Sequence, residues 1–333
     1  MMTEIQNWKE TLKQDGIPER LCNQFRPACL FVEDPIYQFM YGNRKRGTNC
    51  YDPFGTEILF PEDAPGAMPH VTADNKVCPD VTRWREYVKF PDLDKECPDW
   101  SEAKRKVDAI DRSRNAVLLM MTGGIFEQLH FLMGFEDTLM NFYEEPEAMG
   151  ELIDAISKWR FHWMKLLVDH LQPDIICSHD DWGSKHALFM SPDMWRKFFK
   201  AHYEKFYRYQ KEHGVITMHH ADSYLEPIAE DMAEIHIDIW QGVLPSNDIP
   251  ALQKRLKGRM VLMGGIDASI VDRIDSSEEE IRAETRRACE VYGPGGHFIP
   301  SMTYGRPGSS IYPKTYATIE DEIERYNRKY YKM

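Results

Sequence analysis

From Val117 onward the chain alternates short apolar runs with longer amphipathic stretches. The runs Val117–Thr122, Asp174–Ser178, Val215–His220, Ile237–Gln241, Met260–Gly264 and His297–Ser301 have the length and content of buried strands. Between them, helical patterns begin near Phe126, Glu145, Ser191, Leu225, Ile249 and Ser276, and a last one runs from about Tyr312 to Tyr330. Ser191-Pro192-Asp193 reads as a cap followed by proline at the first helical position. Ser276-Ser277-Glu278-Glu279 offers a cap and then acidic residues that suit the helix dipole. Strand followed by helix, six times over, implies a parallel sheet. Gly123-Gly124 and Gly264-Gly265 are strand-end turns and not a dinucleotide-binding G-x-G-x-x-G. The steady arrival of strands favours an α/β fold of the (β/α)8 TIM-barrel type over an open sheet, with two strands still to come from before Val117 or from the final turns.

The first ~110 residues differ, being rich in proline, aromatics and turn residues with weak periodicity. Residues 1–110 are expected to form an irregular N-terminal extension over the barrel mouth, and residues 111–333 the main body of one barrel domain.

Composition narrows the function. The 333 residues are 42% hydrophobic and 29% charged, as in an ordinary globular protein. A net charge of −13 argues against general binding to nucleic acid. No apolar run approaches the ~20 residues that span a bilayer. Residues 1–19 lack the apolar centre of a signal peptide, so a cytoplasmic location is the expectation. The seven cysteines include no C-x-x-C pair, which argues against a thiolate zinc site and for buried free thiols, Cys177 among them.

The chemistry concentrates after two strands. His179-Asp180-Asp181-Trp182-Gly183 follows one, and His219-His220-Ala221-Asp222-Ser223-Tyr224 spans the end of the next. Residues just past barrel strand ends line the ligand site. His220 and Asp222, two apart, share one side of an extended strand end and are the candidate metal ligands. Against this, Asp222 has the place of a helix cap. His219 should face the other way and pack. Asp180 and Asp181 are costly to bury without a cation or donors and are candidate catalytic groups; His179 and His297 are further possible ligands. Glu127, at a helix start, either serves the site or complements the helix dipole. Trp182, Tyr224, Tyr304, Arg306 and Phe54 are expected to contact substrate. Arg44-Lys45-Arg46 reads first as a solvated basic loop.

Several segments together resemble the uroporphyrinogen decarboxylase superfamily: Asp52-Pro53-Phe54-Gly55-Thr56, Trp84 to Asp92, Gly124-Ile125-Phe126-Glu127, Leu132 to Asp137, Asp180-Asp181-Trp182-Gly183, Phe189 to Trp195 and Met263-Gly264-Gly265-Ile266-Asp267. The resemblance runs from about Tyr51 to Tyr330 and implies a (β/α)8 barrel with its site at the C-terminal strand ends. One branch of that superfamily decarboxylates porphyrinogens without a cofactor. The other transfers methyl groups with corrinoid partner proteins and zinc. The zinc motif of the second branch is His-x-Cys at a strand end with a later cysteine. His220 matches the histidine, Asp222 stands at the first cysteine, and no cysteine lies near 301–303. An oxygen- and nitrogen-rich zinc site would be a harder Lewis acid, suited to an ether oxygen. The expectation is therefore a corrinoid-dependent methyltransferase component acting on a small methoxylated, aromatic compound. Asp181 or Glu127 would complete the shell or manage a proton. A cofactor-free decarboxylase and a non-catalytic corrinoid- or tetrapyrrole-binding protein are the alternatives.

Overall fold

A computed structural model describes residues 1–26, 29–64, 66–303 and 312–331. Seven parallel strands lie in chain order in one sheet: β1 (Cys29–Phe31), β2 (Ala116–Met121), β3 (Ile175–His179), β4 (Ile216–His220), β5 (Ile239–Val243), β6 (Val261–Ile266) and β7 (Phe298–Met302). Every pairing is parallel, and helices fill the connections, giving the expected TIM-barrel-like α/β fold. All six strands expected from Val117 onward are present, with their ends within two residues of those expected. Of the two strands still owed, the described residues supply one, β1. At the other edge, the backbone N–H of Met302 donates to Gln24 Oε1 at 3.2 Å, tying the end of β7 to the segment just before β1.

Alternation along the strands separates two cores, as period-two geometry requires. Val117, Leu119, Ile176, Trp240 and Leu262 face outward and pack under the helices. Leu118, Ile175, Cys177, Met218, Ile239, Val261, Met263 and Ile299 face inward and pack on one another. Helix α1 (Glu4–Leu12) carries a Thr3/Gln6 capping box and inserts Ile5 and Trp8 into this inner cluster. The same cluster holds Ala116, Ile175 and Val261 from the strand starts, and Thr11 O of this helix lies 3.3 Å from Nδ1 of His297, just before β7. The N-terminal region therefore closes the bottom of the barrel as well as covering its mouth.

The cover at the mouth comes from α2 (Pro35–Tyr41) and a three-stranded antiparallel sheet of Thr48–Tyr51, Glu57–Phe60 and Met68–Pro69. Proline opens α2, and the Asp34 carboxylate caps it by accepting from the backbone N–H groups of Ile36 and Tyr37. Beyond β2 come α3 (Ile125–Met133), the helix Phe135–Glu144 and the long α4 (Pro146–Leu171). The expected caps at Ser191 and Ser277 are both formed. Among the described cysteines Cys22, Cys78, Cys97, Cys177 and Cys289 are buried free thiols and Cys50 is half-buried.

Candidate metal and substrate site

The inward faces of the strands change character at their C-terminal ends. Along β3 the inward positions read Ile175, Cys177, His179; along β4 Ile216, Met218, His220; along β5 Ile239, Gln241. His179 and His220 are register partners, as are His220 and Gln241. A row of polar side chains thus sits on an apolar floor. The two imidazoles stack with centroids 4.5 Å apart and planes 11° from parallel.

Glu127 reaches this row from the first turn of α3. Its Oε2 accepts from the backbone N–H of Gly124 at 2.9 Å and is 2.8 Å from His179 Nδ1. The turn is fixed by Asp180. Its fully buried carboxylate accepts from the backbone N–H groups of Phe126 and Glu127 (3.0 and 2.9 Å), from Trp182 Nε1 (2.9 Å) and from Tyr203 Oη (2.5 Å). A Cβ on residue 124 would stand 2.0 Å from the Asp180 carboxyl carbon, so the turn needs glycine for space. Asp181, on the loop after β3, accepts from Asp222 N–H at 3.1 Å and Ser223 Oγ at 3.3 Å.

The cluster is acidic and poorly solvated. Burial pushes Glu127 up, but the charge and hydrogen bond of His179 outweigh it and hold the carboxyl low. Burial lowers His179, yet Glu127, Asp181 and Asp222 raise it to about 10. Burial and neighbouring carboxylates push Asp181 and Asp222 each up to about 6. Burial, with the adjacent His179, brings His220 down to about 4. Three carboxylates thus share one imidazolium, an excess of negative charge that a divalent cation would relieve.

His179, Asp181 and His220 each offer a ligand atom, and these atoms lie within 4.8 Å of one another. A tetrahedral zinc shell with bonds of ~2.0–2.2 Å separates its ligands by roughly 3.3 Å, so the three must draw in by up to about 1.5 Å. Three protein ligands with one position open is the arrangement of catalytic zinc. The donor set is nitrogen and oxygen, and no cysteine is among the described residues that line the cavity above it. The residues present therefore fit a zinc ion.

That cavity encloses about 1040 Å³ between the strand ends and the N-terminal cover. Glu127, His179, Asp181, His220 and Asp222 line its floor side, and Tyr37, Tyr41, Phe60, Phe131, Phe135 and Phe189 give it an aromatic wall, with the His130 ring against Phe131 and Phe135. Arg44 also lines it, with its guanidinium 4.4 Å from the Tyr41 ring centroid.

Of the residues expected in the site, Asp181, Glu127, His220 and Asp222 do meet in this cavity. Asp222 lies beside, not within, the converging trio. Asp180 and Trp182 stand behind the wall: Asp180 anchors α3, and Trp182 stacks on His219 with centroids 4.1 Å apart. Phe54 is a core residue in edge contact with Phe90 and Trp159, away from the cavity, because its strip of chain packs against α4. Tyr224 is half-buried and outside the lining, with its backbone N–H on Ser184 O. Tyr304 and Arg306 lie outside the described residues. His297 sits at the start of β7, its Nδ1 3.3 Å from Thr11 O, at the far end from the site. His219 points outward as expected, between Tyr207 Oη and the Asp180 carbonyl.

The sequence pattern did not mark His130 or Gln241, placed Arg44 first in a solvated basic loop, and held His179 only as a further ligand. A signal existed for two of them: His179 and Gln241 are polar residues at the final inward position of otherwise apolar alternations.

A parallel β/α barrel with a polar, titratable cluster at its C-terminal strand ends under a separate N-terminal cover defines a class of barrel proteins with a ligand site at the mouth. The chain belongs to the uroporphyrinogen decarboxylase (URO-D) family, whose model matches residues 51–316. Among solved structures it is similar to a methyltransferase from Methanosarcina mazei, with a TM-score of 0.66 at 16% identity over 98% of this chain and 99% of that one. At that identity the likeness is one of fold. No curated protein sequence matches the chain significantly. No helix among the described residues is long and apolar enough to cross a membrane.

Proposed function

We propose that the chain is the methyl-transferring component of a corrinoid-dependent system. It would take a methyl group from a small methoxylated aromatic compound and pass it to the Co(I) corrinoid of a partner protein. The observation that carries this reading is the convergence of three nitrogen and oxygen donors, His179, Asp181 and His220, beneath an aromatic-walled cavity with no thiol among its described lining residues. The fold shared with a methyltransferase supports it.

His179, Asp181 and His220 would hold zinc, which supplies Lewis-acid polarisation of an ether oxygen. Phe131, Phe135, Phe189 and Tyr41 would pack on the faces of the substrate ring and exclude water. The methyl C–O bond breaks with its electron pair left on oxygen, and the methyl carbon bonds to the corrinoid cobalt through the metal's own electron pair. Asp222, which lines the cavity beside the three donors, is the neighbouring carboxyl that can hand a proton to the departing oxygen.

The decarboxylase alternative calls for a cation-rich pocket to hold a substrate with several carboxylates. Among the described lining residues, Arg44 is the one arginine or lysine, against Glu33, Glu127, Asp181 and Asp222. That balance favours a substrate of low negative charge. The test is incubation of the zinc-loaded protein with methoxylated aromatics and cob(I)alamin, following phenol release and methylcobalamin absorbance. Formation of both is expected. Carbon dioxide release from a porphyrinogen, or ligand binding without turnover, would overturn the reading in favour of the decarboxylase or the non-catalytic binder.

A further inference from the structure

We infer that two buried side chains, Glu127 and Gln241, are positioning residues that aim the Nε2 atoms of His179 and His220 at one point. The inference rests on the zinc reading above. An imidazole that binds a metal through Nε2 must have its other nitrogen protonated, and the partner of that nitrogen fixes both tautomer and ring orientation.

Both partners are present and come from different elements. Glu127 Oε2 sits 2.8 Å from His179 Nδ1. Gln241 Oε1 is hydrogen-bonded to His220 Nδ1 from the next strand. With both Nδ1 positions engaged, the two Nε2 atoms are left for the cavity, where Asp181 Oδ2 stands 3.9 Å from His179 Nε2. That separation is too long for a hydrogen bond, so the carboxylate oxygen and the imidazole nitrogen face each other without satisfying each other. The two rings themselves stack nearly parallel, 11° apart, which holds each against turning out of its plane.

Each positioning residue is itself held. Glu127 is 8% exposed, and Gly124 N–H and the Asp180-anchored turn fix its backbone and one carboxylate oxygen. Gln241 is 1% exposed and sits on a strand next to a bulge at Gly242, whose φ of +93° suits glycine. Gln241 Nε2 is buried without a partner. An apolar residue would avoid that cost of an unmade hydrogen bond, so what glutamine contributes here is its oxygen. The two partners also differ in kind: a carboxylate makes His179 the more basic donor, while a neutral amide leaves His220 the weaker one.

The experiment uses the full chain with zinc, and its affinity is measured by competition with a chromogenic chelator. Glu127→Gln and Gln241→Leu are each expected to weaken zinc binding by about 10- to 100-fold, the range for lost outer partners of metal-bound histidine. Gln241→Glu, which can only accept from an ionised oxygen, is expected to bind zinc as tightly as the parent or tighter. Far-UV circular dichroism and thermal melts check that each variant folds. Separately, 15N NMR of the metal-free parent is expected to show His220 as the Nδ1–H tautomer. Zinc affinities within twofold of the parent for Glu127→Gln and Gln241→Leu would overturn the inference. So would an Nε2–H tautomer of His220 or a Gln241→Glu variant that loses zinc, since either means that the amide donates. A parent that takes up no zinc sinks the functional reading, whereas the tautomer result still decides Gln241's part.

Discussion

His220 and Asp222 are two residues apart, yet they serve different ends of the same cluster. His220 is the last residue of β4 and points inward with the strand's alternation. Asp222 lies past the strand, where its backbone N–H caps Asp181 and its carboxyl faces the cavity. The trio that converges is His179, Asp181 and His220. Asp222→Asn is therefore expected to keep about one zinc per chain while slowing turnover by roughly 10²-fold, the scale of losing a positioned proton donor. Metal analysis beside turnover checks this; loss of zinc in Asp222→Asn would put that carboxylate among the ligands. At this scale the sequence was legible where alternation tells direction. His220, Asp181 and Glu127 could be placed near the mouth from strand ends alone. Phe54, Trp182 and Asp180 could not, because a side chain beside a motif carries no mark of whether it faces the cavity or the packing behind it. Trp182 and Asp180 turn away to serve each other and the start of α3.

At the scale of elements, two turns hold the site and each invites a test. Gly124 gives α3 room against Asp180. Gly124→Ala is expected to destabilise the fold by about 2–4 kcal/mol, since the clash is with a fully buried, fully bonded carboxylate; urea unfolding would measure it, and a change below about 0.5 kcal/mol would contradict the packing described. Asp34 caps α2 over the mouth. Burial pushes it up to about 7, against the lowering effect of the Tyr37 and Ile36 N–H groups, and its Oδ2 has no partner. Between its ordinary value of 3.8 and about 7, the unfolded chain loses a proton that the folded chain keeps. The folded state therefore binds more protons, and this group's contribution to stability falls as pH rises through that window. An asparagine side chain caps a helix equally well and does not ionise. Asp34→Asn is expected to raise Tm relative to the parent above pH 7 and to match or trail it near pH 4. A difference that stays flat with pH would contradict the assignment. The six later strands and their helices were legible because periodicities of two and of 3.6 alternate cleanly. β1 was not, since its three residues are too few for any pattern and its place is set by pairing with β2.

For the whole molecule, the chain's two ends of the barrel are unequal. The bottom is shut by α1, whose Trp8 is 3% exposed among strand-start residues. The mouth is left as a large cavity under α2 and the small antiparallel sheet. Trp8→Ala is expected to cost about 3–5 kcal/mol, the usual range for removing a buried tryptophan, while leaving zinc affinity in the surviving folded protein unchanged, because the plug and the site lie at opposite strand ends. Chemical denaturation and zinc competition read the two effects separately. That closure was hidden in the sequence. A nine-residue polar helix with two buried apolar residues looks like surface until the strands that receive it are assembled.

The central claim is that the strand-end cluster is a metal site. It is tested most directly by zinc content per chain in protein purified without chelators, measured side by side for the parent and His220→Ala. About one zinc in the parent and close to none in the variant is the predicted result. No metal in either, even after zinc is supplied, would contradict it.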